Sequence, residues 1–510
     1  MKRVLSVLLL CTVILSGCKG KTADGDGNKG SSVGEFTLAM QAEASLDPLK
    51  TKHETAALVF DLVYDSLVYV DREMRAVPYL AKSCTVSDDG LTISFSLNEG
   101  IYWHDGAALT SSDVEHTIRQ IRTLGEDSIY FERLRYIEEI VVRDMYHFDL
   151  RLTTPHITVL NLLDFPIVPC HRTDLDTTMV GTGQYKLEAY TPQKNMTLIK
   201  NENWSLSEPP QMERIHVKMI ERSADAASMV KIGEVTAVAS HFKSVGGLGI
   251  GENMQITHFP TLEYEFIGFN FENRFLSSAN VRRAIAYGID REKIIEDVFL
   301  QYGSAACVPV PPSAYLYIGG EGDITKRDTE KAKGLLFADG FNLEDGKMRK
   351  EGEESGIVLT LLVNEENEMR KKYARIVQEN LKEIGIQTEI YTLPFAEYKE
   401  KLFSGEFDMY VGGCKFSADL SYGFLITDTG IQNGYHSEEM AAALSGLGPQ
   451  RTDETIIAAY KAFQEVFLQE MPFAGITFLD GALVHTAALR GMEAPAASKL
   501  YRNIGKWYLE

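Results

Sequence analysis

From Glu35 to Glu510 short β-like runs alternate with amphipathic helices, with no internal repeat, and this pattern points to α/β architecture with mixed sheets. Leu91, Ile93, Phe95 and Leu97 alternate with Thr92, Ser94 and Ser96, which predicts a half-buried strand, and Asp88-Asp89-Gly90 supplies turn chemistry before it. Ser112-Asp113-Val114-Glu115 reads as a capping box, opening a helix in which Val114, Ile118 and Ile121 share one face. Another helix is expected from about Asn280, burying Val281, Ala284, Ile285 and Ile289. A further one starts at Asp328 and stops at Gly340, where a left-handed residue is expected. Residues 373–393 predict helix, turn and strand: Tyr373, Ile376, Val377, Asn380, Leu381 and Ile384 at helical spacing, Gly385 as the stop, then an extended run from Ile386 to Leu393. Asn342 to Gly356, rich in Glu, Gly and Lys, reads as a solvated loop.

The N-terminal segment has a different logic. Lys2 and Arg3 precede an apolar stretch from Val4 to Leu15, broken only by Ser6 and Thr12 and ending in Leu15-Ser16-Gly17-Cys18. This is the layout of a secretory signal, and the stretch is too short to span a bilayer as a permanent helix. Its end resembles the bacterial lipobox, in which the thiol is acylated and the chain is cut just before it. Residues 1–17 are then a signal peptide, Cys18 a lipidation site, and 18–34 a flexible tether of Gly, Lys, Asp, Ser and Asn unable to bury enough apolar area to order itself. The folded body is expected near Glu35, and beyond residue 34 no apolar stretch is long enough to cross a membrane. Roughly 475 residues exceed what one hydrophobic core organises, so two or three domains are expected. A formal charge of −21 argues against a nucleic-acid partner and against broad docking on anionic lipid.

With Cys11 in the signal and Cys18 acylated, Cys84, Cys170, Cys307 and Cys414 remain, far apart and without metal-knuckle spacing. Free, mostly buried thiols are expected, with one bridge possible in an oxidising compartment. There is no phosphate-cradling Gly-Lys-Ser/Thr loop, nucleophile elbow, His-Glu-x-x-His or calcium loop, and the eleven histidines never recur at spacings that would pair them on one face. No enzyme, cofactor or metal is implied, and His104 and His436 are the two histidines to watch. The 24 Phe, 23 Tyr and 3 Trp read one by one as packing residues, and collectively would suit a large apolar cavity between domains.

A series of short matches carries a resemblance. Ser45-Leu46-Asp47-Pro48 is followed by Leu67 to Ala81, Ser87 to Thr92, Trp103-His104-Asp105-Gly106 and Thr110 to Val114. Then come Gly181-Thr182-Gly183-Gln184-Tyr185, Lys200-Asn201-Glu202-Asn203-Trp204, the stretch from Val281 to Arg291, and Gly405-Glu406-Phe407-Asp408. In this order, from about Phe36 to Tyr508, the chain resembles family 5 extracellular solute-binding proteins, the receptor components of peptide and nickel ABC importers.

The resemblance implies a type II periplasmic-binding-protein-like fold, two lobes around a hinge plus an inserted third domain (cluster C). Lobe I would take 35–60, 172–262 and 476–510, the inserted domain 61–171, and lobe II 263–475, with hinge strands near Leu262 and Ile476. It implies a monomer on the periplasmic or extracellular face of the cell envelope, anchored to the membrane by lipid. That receptor would capture an oligopeptide or other small solute between the lobes and deliver it to a permease. Glu43, Ala44, Ser45, Tyr264 and Phe266 would be ligand-facing walls. The family aspartate that pairs with a peptide's α-amino group falls, ungapped, on Ser417, with Asp419 two residues later and Cys414 in place of the family Trp. A two-residue shift keeps a strand side chain on one face, so with the loop displaced Asp419, or else Ser417, would face the amino end; the alternative reading makes Asp419 a solvated turn carboxylate. The family's Gly-Glu-x-Asp is also altered, to Gly233-Glu234-Val235-Thr236. Alternative readings keep the fold with nickel-chelate, haem or an oligosaccharide as ligand, or make the chain a surface sensor or adhesin. A lipid-anchored hydrolase lacks any nucleophile and base at motif spacing.

Overall fold

Eleven strands hydrogen-bond into one mixed sheet. One half contains Gln387–Leu393, Val358–Asn364 and Met409–Lys415; the other contains Ala237–His241, Glu35–Gln41, Arg214–Ile220, Asn195–Lys200 and Tyr185–Thr191. Two long central strands, Met254–Phe269 and Phe473–Thr486, join the halves, and Gly303–Ala305 pairs with the latter. This computed structural model describes residues 35–241, 251–319, 324–426, 434–450, 452–493, 496 and 499–510. The expected signal peptide, Cys11, Cys18 and the tether lie outside the described residues, whose first member, Glu35, opens a strand.

The central pair is irregular where it passes between halves. Pro260 faces Asp480 and the next pair is Tyr264 with Phe478, so Met254–Phe269 advances four residues while its partner advances two. Beyond Glu265–Thr477 the next pair is Phe266–Gly475, which leaves Ile476 as the extra residue on the other strand. Leu262 and Ile476 thus sit in two bulges of opposite strands, and bulges bend a ladder and leave residues without cross-strand partners. The first long strand meets Met409–Lys415 only through Glu263–Phe269, and the second meets Ala237–His241 only through Gly481–His485.

A separate antiparallel sheet, Ala81–Val86, Thr92–Leu97, His147–Leu152 and Ile137–Val142, lies within 61–171. Ile93, Phe95 and Leu97 are buried as the alternation requires, and Gly90 turns the chain at φ +72°. The helix Ser111–Leu124 buries Val114, Ile118 and Ile121, but its cap is Thr110, two residues before the expected start. Asp113 explains the difference: its carboxylate accepts the Thr110 N–H at 2.8 Å and the Cys170 N–H at 2.8 Å, which fixes the helix start from both sides.

The other helices fall where periodicity places them. Ala279–Gly288 buries Val281, Ala284 and Ile285; Thr329–Ala338 is capped by Asp328 and followed by Gly340 at φ +85°; Glu368–Glu383 leads through Gly385 at φ +86° into Gln387–Leu393. The loop expectation fails. The segment read as a solvated loop contains a hairpin, Phe341–Glu344 against Lys347–Lys350, turning on Asp345 (φ +49°) and Gly346 (φ +74°). Asp-Gly is the dipeptide that a type I′ hairpin turn favours, and here it outweighed the charged composition. The four described cysteines are free thiols, yet only Cys307 is buried; Cys84 and Cys414 are half-buried and Cys170 is exposed.

Two stretches of the resemblance have a structural reason. Arg282 donates to the carbonyls of Leu276, Ser277, Glu470 and Met471, and Arg291, with no exposed surface, donates to those of Gly475 and Ala286. Both guanidinia tie Ala279–Gly288 to the start of Phe473–Thr486 through backbone oxygens. Gly181 and Gly183 lie against Leu62 and Val63; a Cβ on Gly181 would stand 1.7 Å from the Val63 carbonyl oxygen. That carbonyl accepts the Gly183 N–H at 2.8 Å and cannot withdraw without losing the bond. Gly181→Ala is therefore expected to lower unfolding stability by more than about 2 kcal/mol, read as a reduced urea midpoint at unchanged m-value.

Candidate binding site between the lobes

The exit of Glu35–Gln41 carries Glu43, Ala44 and Ser45. Glu43 is buried, and its carboxylate accepts the Thr51 hydroxyl at 2.5 Å and the N–H groups of Lys52 and His53 at 3.0 and 3.1 Å. Ala44 is exposed, and the Ser45 hydroxyl donates to Asp176 at 2.5 Å while accepting the Asp47 N–H. The polar side chains of this corner are thus committed to their own loops.

Tyr264 and Phe266 stand on Met254–Phe269 where it pairs with Met409–Lys415. Both are buried: Tyr264 donates to the Cys307 carbonyl at 2.8 Å and packs with Phe266, Phe416, Phe473 and Phe478. They are core residues. Cys414 faces Tyr264 across the ladder, and burial pushes its thiol up to about 12, so it is no nucleophile at neutral pH.

Beyond Lys415 the chain turns through Ser417 to Leu420, the latter at φ +52°, with the Leu420 N–H on the Ser417 carbonyl. Asp419 is completely buried, and its Oδ2 takes one bond, 2.5 Å, from Arg135, whose same nitrogen lies 3.3 Å from the Ser417 hydroxyl. Its Oδ1 has no partner among the described residues, a deficit that costs about 1–3 kcal/mol for a buried acceptor. The His156 ring nitrogen stands 3.8 Å from Oδ2, and burial holds this imidazole below its ordinary range. Thr158 donates to the Asp419 carbonyl at 2.9 Å, and Asn161 to those of Ala418 and Met74 at 3.0 and 2.9 Å. Lys415 reaches Glu54 at 2.5 Å, and Arg75 reaches Asp453 at 2.7 Å while covering the Tyr315 ring.

Ser417 and Asp419 thus meet at one guanidinium, whereas Glu43, Ala44 and Ser45 lie in the other half of the chain's fold. Arg135, His156, Thr158 and Asn161 were not foreseen. Arg135 precedes Asp419 by 284 residues and belongs to no motif, so nothing in the spacing announces the contact.

The two histidines on watch separate. His104 bridges two peptide groups, its Nδ1 accepting the Gly181 N–H at 3.3 Å and its Nε2 donating to the Gly183 carbonyl at 3.1 Å. Burial brings it down from 6.5 to about 4. His436 is exposed, at the rim of a hollow of about 530 Å³ that includes Phe271, Arg282, Tyr435 and Glu470. Among the described residues no group of three or more His, Cys, Asp or Glu is placed to hold a metal ion, and no helix is long and apolar enough to cross a membrane.

The family model for bacterial extracellular solute-binding proteins, family 5 Middle, matches residues 75–435, well over half of the chain. This chain is a family 5 bacterial extracellular solute-binding protein. The family's members are transport binding proteins rather than enzymes, periplasmic or extracellular, serving importers of the peptide and nickel class. The chain is 23% identical over 540 residues to the oligopeptide-binding protein AppA of Bacillus subtilis (strain 168), covering 99% of this chain and 98% of that one. It is 23% identical over 474 residues to the glutathione-binding protein GsiB of Salmonella typhi, covering 88% and 89%. Among solved structures, the nickel ABC transporter protein from Bacillus halodurans superposes with a TM-score of 0.78 at 19% identity, over 93% of this chain and 100% of that one. The fold of this solute-binding protein is accordingly the type II periplasmic-binding-protein-like one, with two lobes and a third, inserted domain.

Because the unfolded chain takes up the His104 proton near pH 6.5 and the folded one only near 4, the bridge contributes its full stability above pH 6.5 and loses it as pH falls toward 4. The loss is on the order of 3 kcal/mol. In urea titrations the stability advantage of the parent protein over His104→Gln is expected to shrink between pH 7.5 and pH 4.5.

Proposed function

We propose that this protein is the receptor of an ABC importer, held to a bacterial membrane by acylation at Cys18, which captures an oligopeptide between its lobes and delivers it to the permease. The observation that carries the reading is the bulged central pair of strands. Lobe I, taken as 35–60, 172–262 and 476–510, and lobe II, taken as 263–475, are joined through strands that lose register at Leu262 and Ile476, while 61–171 is inserted in the first. A ladder interrupted on both strands is where rigid halves can rotate, so closure about these two points is the working motion. The seam opposite is polar: Lys415–Glu54 and Arg75–Asp453 are ion pairs with exposed members, and Thr158 and Asn161 reach backbone carbonyls. Exposed pairs of this kind contribute about 0–1 kcal/mol each, so these two do not lock either arrangement of the lobes. Capture then requires only that a ligand favour the closed arrangement over the open one, and no bond is made or broken.

The oligopeptide assignment is supported by similarity to the Bacillus subtilis oligopeptide-binding protein over nearly the whole chain. Asp419, backed by Ser417, is the group for the peptide's ammonium end: a buried carboxylate with one oxygen still to be satisfied. With a mixed library of short peptides, a bound species at 100 times its dissociation constant is expected to raise unfolding stability by about 2.7 kcal/mol. A flat melting temperature across the library, with no peptide in native mass spectra of freshly purified protein, sinks the assignment. Asp419→Asn is expected to weaken binding of a captured peptide by more than about tenfold, roughly 1.4 kcal/mol, by calorimetry.

A further inference from the structure

Arg135 and Asp419 form an ion pair between 61–171 and 263–475. The carboxylate has no exposed surface, but the guanidinium keeps 27% of its side chain open to solvent and lies 4.9 Å above the Tyr136 ring. The pairing is incomplete in a telling way. A guanidinium can grip a carboxylate with two parallel N–H groups, yet only one Arg135 nitrogen bonds one Asp419 oxygen, and Oδ1 is left over. Around the carboxylate stand His156, which burial holds below its ordinary range, and the buried hydroxyls of Tyr422 and Tyr460, both of which feel its charge. Arg135 is the charged group that balances Asp419, and it does so with the fit of a substitute.

We infer that Arg135 is a tethered competitor for the ligand: its guanidinium occupies the cation position at Asp419, fastens 61–171 to lobe II, and must swing out before a ligand ammonium group can reach the carboxylate. This rests on the peptide reading above for the identity of the incoming cation, but not for the latch itself. A side chain carried on the same molecule competes at high effective concentration, so it lowers the apparent affinity for amine-bearing ligands and rejects those that cannot outbid it. An ammonium group brings three donors and can serve Oδ1 as well as Oδ2. The displaced arginine has somewhere to go, since its stem is already part-exposed and the Tyr136 face stays available to it. The adjoining contacts from Thr158 and Asn161 go to backbone carbonyls, so they position the Ser417–Leu420 turn without competing for the charge.

The test compares the parent protein with Arg135→Gln and Arg135→Lys by calorimetry and small-angle scattering. Arg135→Gln is expected to gain about tenfold in affinity for peptides with a free amino terminus, and most of the gain is expected to vanish when the same peptides are N-acetylated. Arg135→Lys, which keeps the charge, stays close to the parent. A loss of affinity in Arg135→Gln, or an equal gain for free and acetylated peptides, overturns the inference. The ligand-free proteins give the second readout: the radius of gyration rises in Arg135→Gln and returns toward the parent value in Arg135→Lys. If no peptide binds any form, the oligopeptide assignment fails on its own, and the scattering judges the latch. An unchanged radius in Arg135→Gln then refutes it, and a rise restored by lysine upholds it.

Discussion

Everything in this molecule depends on the ladder between Met254–Phe269 and Phe473–Thr486. These two strands lie at the centre of the eleven-stranded sheet, and each is shared by both halves, so their backbone hydrogen bonds carry the connection together with the side chains packed on the sheet. Such bonds are stiff along the strands and yield where register is lost. The cores follow the same plan. One cluster of buried residues gathers on Tyr264, Phe266, Phe463, Phe467 and Phe473 and extends along the sheet to Val238, Met254 and Val484, while the other unites Phe36, Trp103, Phe148, Tyr185 and Trp507. The sheet belongs to both.

Buried cations reinforce this frame by an economical route. Arg282 and Arg291 meet carbonyl oxygens instead of carboxylates, so each replaces the hydration of its charge with several fixed dipoles while tying a helix to the start of a long strand. Burial lowers Arg282 only to about 10, which leaves it charged at any physiological pH. Gly475 completes the junction: a Cβ there would stand 1.8 Å from the Tyr264 hydroxyl and 2.4 Å from the Cys307 carbonyl that the hydroxyl holds. The contacts of Glu54 and of 61–171 with 263–475 are assembled differently, from polar groups such as Lys415–Glu54, Arg75–Asp453 and Thr158 on the Asp419 carbonyl.

Much of the fold was legible because it is local. Alternation at Leu91–Leu97, helical spacing at Ala279–Gly288 and Glu368–Glu383, and left-handed glycines at 340 and 385 are statements about neighbours in the chain, and the structure agrees with them. The hairpin at 341–350 runs against its charged composition, and Asp345-Gly346 is the local signal that announces it. The site was much less legible. Asp419 was reached by resemblance, but its partner Arg135 arrives from another part of the fold, and a contact across 284 residues leaves no trace in spacing. Tyr264 and Phe266 fell on the expected strand, yet burial on both faces of a central strand made them core.

The paired bulges also set a rule for how such a chain can vary in length. Side chains on a strand alternate between faces, so one residue gained or lost in either central strand with no bulge to take it up would exchange the two faces for everything beyond it. Val484, which packs in one core, would trade places with Leu483, which packs in the other. Changes of chain length are therefore accommodated at the bulges or in the surface connections, and between the bulges the two central strands act as a fixed ruler.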